Sequence, residues 1–321
     1  MKKLFKIILR TAIVLFVLLN IIICFHAYKF THFYDAGQVN IKPDSVKSGW
    51  DKTKEILFGI NFAKKKNDVI ADTSYQLVYL TSKDHLKLEG WYVPVDTAKG
   101  TVALFHGHGS NKSAVIKEAE EFRKMGYNTF LLDFRAHGGS EGNTTTIGND
   151  ESEDVKLAYD FVKQKQEKNI VLWGISMGAA TITKAMNDYN IRPSKVILEM
   201  PFGSIYQAVK GRVRIMHLPE QPFSTLLTFW GGIEHGFWAF NNKPAEFVKK
   251  INCPVLLQWG KLDPRVTRQE IDDIYSNLAG PKELEVYESA GHESLCKKET
   301  DKWVKRVRSF LNNNYNILLK M

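Results

Sequence analysis

The chain has few of the residues that cross-link or punctuate a fold: 3 cysteines and 10 prolines among 321 residues. The thiols say little about redox surroundings. Cys253 is expected to begin a strand and Cys296 to follow a loop at the other end of the same sheet, a placement that argues against a bridge between them. No Cys/His spacing fits a zinc site, and no metal or other cofactor is expected. Internal repeats and low-complexity stretches are absent, so nothing asks for a second domain, and 44% apolar residues suffice for one large core. The net charge of +9 comes from dispersed basic residues with no recognised nucleic-acid module. Nucleic-acid binding is therefore not expected, whereas residence beside anionic lipid suits that charge.

One long apolar run stands apart from the rest. Lys2, Lys3, Lys6 and Arg10 precede residues 11–25, in which Asn20 is the only strongly polar interruption. Counted from Ile7, with Arg10 snorkelling, the run reaches the roughly 20 residues a bilayer requires. The chain then continues Cys24-Phe25-His26-Ala27-Tyr28-Lys29-Phe30 with no A-x-A-like cleavage site, which favours a retained anchor over a cleaved signal peptide. Ile21, Ile22 and Ile23 also lack the small residue that lipoprotein processing at Cys24 would use. The basic flank is expected in the cytoplasm and the remainder of the chain on the other face. Residues 1–30 are thus read as flank and anchor, and residues 31–74 as a stalk or lead-in segment. Trp50, Ile56, Leu57, Ile60 and Phe62 in that segment can lie against the domain or the bilayer surface. Residues 75–321 form the globular domain.

Within that domain Gly174-Ile175-Ser176-Met177-Gly178 lies between an apolar strand, Asn169-Ile170-Val171-Leu172-Trp173, and a small-residue helix beginning Gly178-Ala179-Ala180-Thr181. A turn this sharp holds its central residue in a strained backbone conformation, and the flanking glycines keep strand and helix from colliding. Ser176 is the candidate nucleophile. Its hydroxyl needs an imidazole to take the proton and a carboxylate to fix that imidazole's tautomer. Asp263 follows the strand Cys253-Pro254-Val255-Leu256-Leu257-Gln258-Trp259, and His292 follows the strand Leu284-Glu285-Val286-Tyr287, so both sit at strand carboxyl ends in the chain order serine, acid, base. Glu199, in Leu198-Glu199-Met200-Pro201, is the rival acid. His85, His217 and His235 suit structural roles better than His292 does.

The oxyanion donors are expected from two backbone N–H groups, that of Met177 and that of His108 in the loop His106-Gly107-His108-Gly109-Ser110, which follows the strand Gly100-Thr101-Val102-Ala103-Leu104-Phe105. With no third ligand nearby, the imidazoles of His106 and His108 are not expected to bind metal.

A further element is Leu132-Asp133-Phe134-Arg135-Ala136-His137-Gly138-Gly139-Ser140-Glu141-Gly142. With it, the chain from about Tyr75 to Leu311 resembles an α/β-hydrolase of the serine aminopeptidase and monoacylglycerol lipase-like group, whose D-x-R-G-H-G-x-S-x-G loop it matches except that Ala136 replaces the usual glycine. The resemblance implies the α/β-hydrolase fold, a mostly parallel sheet flanked by helices with a small cap insertion. It leaves the substrate open, since esterases, lipases, thioesterases, peptidases and acyltransferases share that fold.

The remaining pattern is compatible. Tyr75–Leu80 and Leu86–Val93 read as an opening hairpin, strands and helices then alternate, and one closing helix is expected from about Glu293 to Asn312. The alternation stops at about residues 203–250, where a cap is expected. Its Phe229, Trp230, Phe237 and Trp238 either line an acyl pocket beside Ser176 or form the core that packs the cap on the sheet. Arg212, Arg214 and His217 could bind a carboxylate or phosphate, but solvated positions are the expected account. These readings converge on a membrane-anchored serine hydrolase acting on a small-molecule, lipid or peptide acyl substrate. A carboxylesterase or lipase is favoured, with an aminopeptidase-like peptidase, an acyltransferase and a non-catalytic binding protein as alternatives.

Overall fold

The computed structural model describes residues 1–35, 38, 46–68 and 74–315. Parts of the expected stalk (residues 36, 37, 39–45 and 69–73) and residues 316–321 lie outside the described residues.

Eight strands form one sheet: β1 (Gln76–Thr81), β2 (Lys87–Val93), β3 (Thr101–Phe105), β4 (Asn128–Leu132), β5 (Ile170–Ile175), β6 (Lys195–Glu199), β7 (Val255–Gly260) and β8 (Lys282–Tyr287). Their spatial order is β1-β2-β4-β3-β5-β6-β7-β8. The opening hairpin β1–β2 is antiparallel and β2 pairs antiparallel with β4, while every pairing from β4 to β8 is parallel. The central strands are buried on both faces, which is why β3 and β5 read as largely apolar runs rather than alternating ones.

The helices are α1 (Lys2–Thr31), α2 (Gly49–Phe58), α3 (Ile116–Lys124), α4 (Glu151–Gln164), α5 (Met177–Asp188), α6 (Ile205–Ile215), α7 (Glu220–Glu234), α8 (Pro244–Phe247), α9 (Arg268–Asn277), α10 (Leu295–Lys298) and α11 (Thr300–Asn312). The single closing helix expected from Glu293 is instead two, α10 and α11. Glu299 between them leaves helical geometry at φ −132°, ψ 63°, and its carboxylate accepts the Ser289 N–H at 3.2 Å and the Ser289 hydroxyl at 2.7 Å. Trp303, Val307, Phe310 and Leu311 of α11 are buried, as their helical spacing predicts.

The amino-terminal helix α1 has two halves. Residues 2–18 are exposed along their whole circumference, whereas from residue 19 onward the covered positions recur with helical period and include buried Ile23, Ala27 and Thr31. The helix is long and apolar enough to cross a membrane. Its second half packs on α7 of the cap. There the Trp230 indole N–H donates to Asn20 Oδ1 at 3.0 Å and the Cys24 thiol to Glu234 Oε1 at 3.3 Å. Beyond α1 the chain is pinned to the domain, with Phe33 N–H on Asn143 O at 2.7 Å and Thr145 N–H on Thr31 O at 2.9 Å.

Candidate active site

β5 delivers Ser176 at the carboxyl edge of the sheet, and α5 begins at the next residue. The turn holds Ser176 at φ 54°, ψ −116°, a backbone conformation that costs a non-glycine residue about 1–3 kcal/mol. Packing around the turn explains its glycines: a Cβ on Gly174 would lie 2.6 Å from the Gly178 carbonyl carbon, and one on Gly178 would lie 2.3 Å from Phe105 O. Strand β3, the elbow and α5 therefore touch backbone to backbone, leaving the serine side chain as what projects.

Two neighbouring loops meet that side chain. Because β7 and β8 are adjacent and parallel, with Gly260 opposite Tyr287, the loops at their carboxyl ends emerge side by side. They are tied by Lys261 N–H to Tyr287 O at 2.8 Å and Leu262 N–H to Ala290 O at 2.9 Å. His292 Nδ1 lies 2.6 Å from Asp263 Oδ2, and His292 Nε2 lies 2.8 Å from Ser176 Oγ. A carboxylate only accepts, so Nδ1 carries the proton and Nε2 is left free to accept the serine hydroxyl. Asp263 also accepts the Arg265 N–H at 2.7 Å and the Val266 N–H at 3.0 Å through its other oxygen. Its side chain is fully buried, and that of His292 is only 10% exposed. Together the two loops hold a hydrogen-bonded chain from carboxylate to imidazole to hydroxyl, the arrangement that makes a serine nucleophilic.

The loop after β3 closes the other side. Gly109 N–H donates to His137 Nε2 at 3.0 Å and Ser110 N–H to Gly107 O at 3.3 Å, folding the loop back on itself. Among the described residues neither the His108 N–H nor the Met177 N–H donates to a protein acceptor, and His108 and Met177 line the cavity that holds Ser176. Such free amides near a serine are what a developing oxyanion requires. The imidazoles around them are structural. His106 Nδ1–H donates to Gly107 O at 2.8 Å while its Nε2 accepts Phe134 N–H at 3.2 Å, and the His108 ring stacks on Phe30 at 4.6 Å. Burial, with the nearby His137 adding to it, pushes His106 down to about 3, and burial likewise pulls His108 and His137 below the ordinary histidine value. Ala136, the departure from the usual glycine, stands at φ 64°, so the position does take the left-handed conformation that glycine adopts most cheaply.

Glu199 is placed differently from Asp263. Its Oε1 accepts the indole N–H groups of Trp173 at 3.0 Å and Trp303 at 2.6 Å and the Gln258 amide at 3.2 Å. Burial, with the neighbouring Glu118 charge adding to it, pushes its carboxyl up to about 8. It is a fully buried core group at the last position of β6.

Two adjoining cavities meet at the site. One, of about 410 Å³, holds Ser176, His292, Gly107, His108 and Met177. The other, of about 700 Å³, is walled mainly by apolar side chains of α1, α2 and the cap, including Ile23, Ala27, Ile56, Val213 and Phe223. Phe30, Ile147, Val209 and Arg212 line both.

This arrangement corrects the expectation that Phe229, Trp230, Phe237 and Trp238 line a pocket beside Ser176. None of them lines the serine cavity, and only Phe237 reaches the larger one. The reason is the helix at the amino terminus: α7 turns Trp230 onto Asn20, Phe229 packs against Trp230 and Trp238, and Trp238 remains half-exposed. Arg212, expected to be solvated, is instead half-buried at the cavity wall, whereas Arg214 pairs with Glu220 at 3.0 Å and His217 is exposed as expected. The sequence offered one clue to the missed residues. Val209 and Arg212 stand three apart on a single helix, but nothing local shows that Phe30, 146 residues before Ser176 (176 − 30), would complete the same wall.

Residues 96–230 match the family model described as serine aminopeptidase, S33. Among its relatives, the uncharacterized protein YqkD of Bacillus subtilis (strain 168) is 27% identical over 230 residues, 70% of this chain and 75% of YqkD. The lysophosphatidylserine lipase ABHD12 of Danio rerio is 26% identical over 207 residues, 60% of this chain and 51% of the lipase. Among solved structures, the Pyrococcus furiosus esterase Pf2001 is similar with a TM-score of 0.65 at 26% identity, covering 78% of this chain and 97% of the esterase. The chain has the α/β-hydrolase fold and is similar to serine hydrolases built on it.

Proposed function

We propose that this α/β-hydrolase is a membrane-anchored carboxylesterase or lipase-like enzyme that cleaves acyl esters through an acyl-enzyme on Ser176. The observation that carries this reading is the Asp263–His292–Ser176 hydrogen-bonded chain opening beside a large apolar cavity whose wall includes the anchor helix. In the first half-reaction His292 Nε2 takes the Ser176 proton as Oγ attacks the acyl carbonyl. Asp263 stabilises the imidazolium that forms, and the His108 and Met177 amides receive the oxyanion. His292 then protonates the departing alcohol. Water, activated by the same imidazole, releases the acid and restores the serine.

The acyl chain lies in the larger cavity. Residues 7–18, the apolar part of α1 that is free of the domain, span about 18 Å at 1.5 Å per residue, well short of the roughly 30 Å of a hydrocarbon core. An anchor of that free length draws the domain against the bilayer. Exposed Trp50, Ile56, Phe58, Ile233 and Trp238 then meet the lipid surface. The basic residues Lys2, Lys3, Lys6 and Arg10 keep the amino terminus cytoplasmic and the domain on the opposite face. The relatives described as an esterase and a lipase support the ester reading, and the serine aminopeptidase description of the family model favours a peptidase as the second reading.

Full-length protein in neutral detergent, assayed on p-nitrophenyl esters from acetate to dodecanoate and on aminoacyl anilides, separates the two readings. Catalytic efficiency should rise with chain length and exceed that on any anilide. Anilide hydrolysis faster than ester hydrolysis, with no chain-length preference, would establish the peptidase instead.

A further inference from the structure

The serine cavity carries a second chemical feature. Arg212 on α6 and Arg265 in the acid loop both line it, and among the described residues no carboxylate pairs with either guanidinium. The other arginines near the site are committed, Arg214 to Glu220 and Arg135 to Asp154 and Glu153. The two carboxylates in the same lining have donors of their own, since Glu118 accepts from the Ser294 hydroxyl and Glu293 accepts the Gly291 N–H at 3.3 Å. Arg212 is half-buried with its guanidinium carbon 5.2 Å from the Phe30 ring centre, a cation–π contact, while Arg265 is exposed at the mouth.

Their proximity is built into the backbone. A Cβ on Gly211 would lie 2.3 Å from Arg265 O, so helix α6 abuts the acid loop at the residue before Arg212. Two cations are thereby held near each other beside the nucleophile, each facing a cavity. Burial first, and then the Arg265 charge, pull Arg212 below the ordinary arginine range. An arrangement that is unfavourable when empty becomes favourable when an oxyanion accepts from both guanidinium groups.

We propose that Arg212 and Arg265 form an anion subsite, and that the substrate is a single-chain acyl ester whose alcohol portion carries a phosphate or carboxylate. The proposal rests on the ester-hydrolase reading for its acyl half, and its anion half stands on the arginines alone. The acyl chain occupies the apolar cavity, the ester carbonyl sits at Ser176, and the charged end of the leaving alcohol points to Arg212 and Arg265.

The test compares three lauroyl esters on full-length protein in neutral micelles: lauroylglycerol, lauroylglycerol phosphate and lauroyl glycerate. Wild-type kcat/KM should be at least tenfold higher on an anionic ester than on lauroylglycerol, and the better of the two anionic esters identifies the group recognised. Arg212→Gln and Arg265→Gln should each lower that ratio, the double substitution should bring it close to one, and Arg212→Lys should retain part of it. A parallel titration of dodecyl phosphate into the Ser176→Ala protein reads the subsite without turnover, and adding Arg212→Gln should weaken that binding at least tenfold. Arg265→Gln, at an exposed position, keeps the test decisive if Arg212→Gln fails to fold. Ester turnover without anionic preference, or a preference that survives the double substitution, overturns the subsite while leaving the hydrolase standing. Arginine-dependent binding of dodecyl phosphate by a protein that turns over no ester supports the subsite and removes the hydrolase reading.

Discussion

The strand-end rim that carries Ser176, Asp263 and His292 and the cap wall that faces it meet at one cavity, yet they are held together in opposite ways. At the rim each side chain is fixed by its own short loop, and the loops are bound to one another by backbone hydrogen bonds a few residues from the strands. The cap wall is completed from the far end of the chain. Phe30 stacks on His108 and carries Arg212 over its ring, and Trp230 holds Asn20 more than 200 residues away. Chemistry that tolerates little displacement is assigned to local geometry, whereas the fit to the proposed acyl chain is shared among α1, α2 and the cap. The rim should therefore respond to single atoms, and the wall to whole segments.

The sharpest break is at the acid. Asp263→Asn preserves packing but removes the charge behind the imidazolium, and kcat should fall about 10⁴-fold, as in a comparable triad substitution. Glu199→Gln, one strand away, should leave kcat within about tenfold, because its carboxyl is bound by Trp173, Trp303 and Gln258 and not by His292. A crippled Glu199→Gln beside an active Asp263→Asn would reverse the two roles.

Removing segments probes the wall. Without residues 2–18 the enzyme should leave the membrane but keep its rise in efficiency with ester chain length. That rise is at most about 0.8 kcal/mol, roughly fourfold, per buried methylene. Without residues 1–31 the rise should flatten, since Ile23, Ala27 and Phe30 leave with the helix. Equal flattening in both deletions would mean that the exposed half of α1 shapes the pocket.

Glu199 offers a smaller effect. Burial raises its carboxyl from 4.5 to about 8, so between those values the folded protein holds a proton that the unfolded chain has lost. Its contribution is full below about pH 4.5 and declines as pH rises toward 8. Thermal midpoints of full-length protein in detergent should fall over that window, and fall less in Glu199→Gln. The smallest effect is expected from Trp230→Ala. It should loosen α1, read as faster amide exchange in residues 19–31, while changing the chain-length preference by less than about twofold.

The same contrast decides what a sequence reveals. The strand-end positions of Ser176, Asp263 and His292, the proposed nucleophile, acid and base, were legible because each follows an apolar strand within a few residues, and that pattern needs no knowledge of the partner element. Helix and strand order was legible for the same reason. The break at Glu299 was not, because it depends on a hydrogen bond to Ser289 across a turn. Phe229, Trp230 and Trp238 were misplaced because aromatic composition marks burial without naming what does the burying. Here α1 covers part of α7 and turns Trp230 away from the serine. Arg212 looked solvated because charge on a helix usually is, and the abutment of Gly211 on Arg265, which sets α6 against the acid loop, joins residues far apart in the chain.

The central claim is that Ser176, activated by His292 and Asp263, forms the covalent intermediate. Full-length protein in detergent should gain one fluorophosphonate adduct, located on Ser176 by peptide mass spectrometry, and Ser176→Ala should gain none. An adduct of equal yield in Ser176→Ala, or one mapped to another residue of the wild-type chain, would contradict the account.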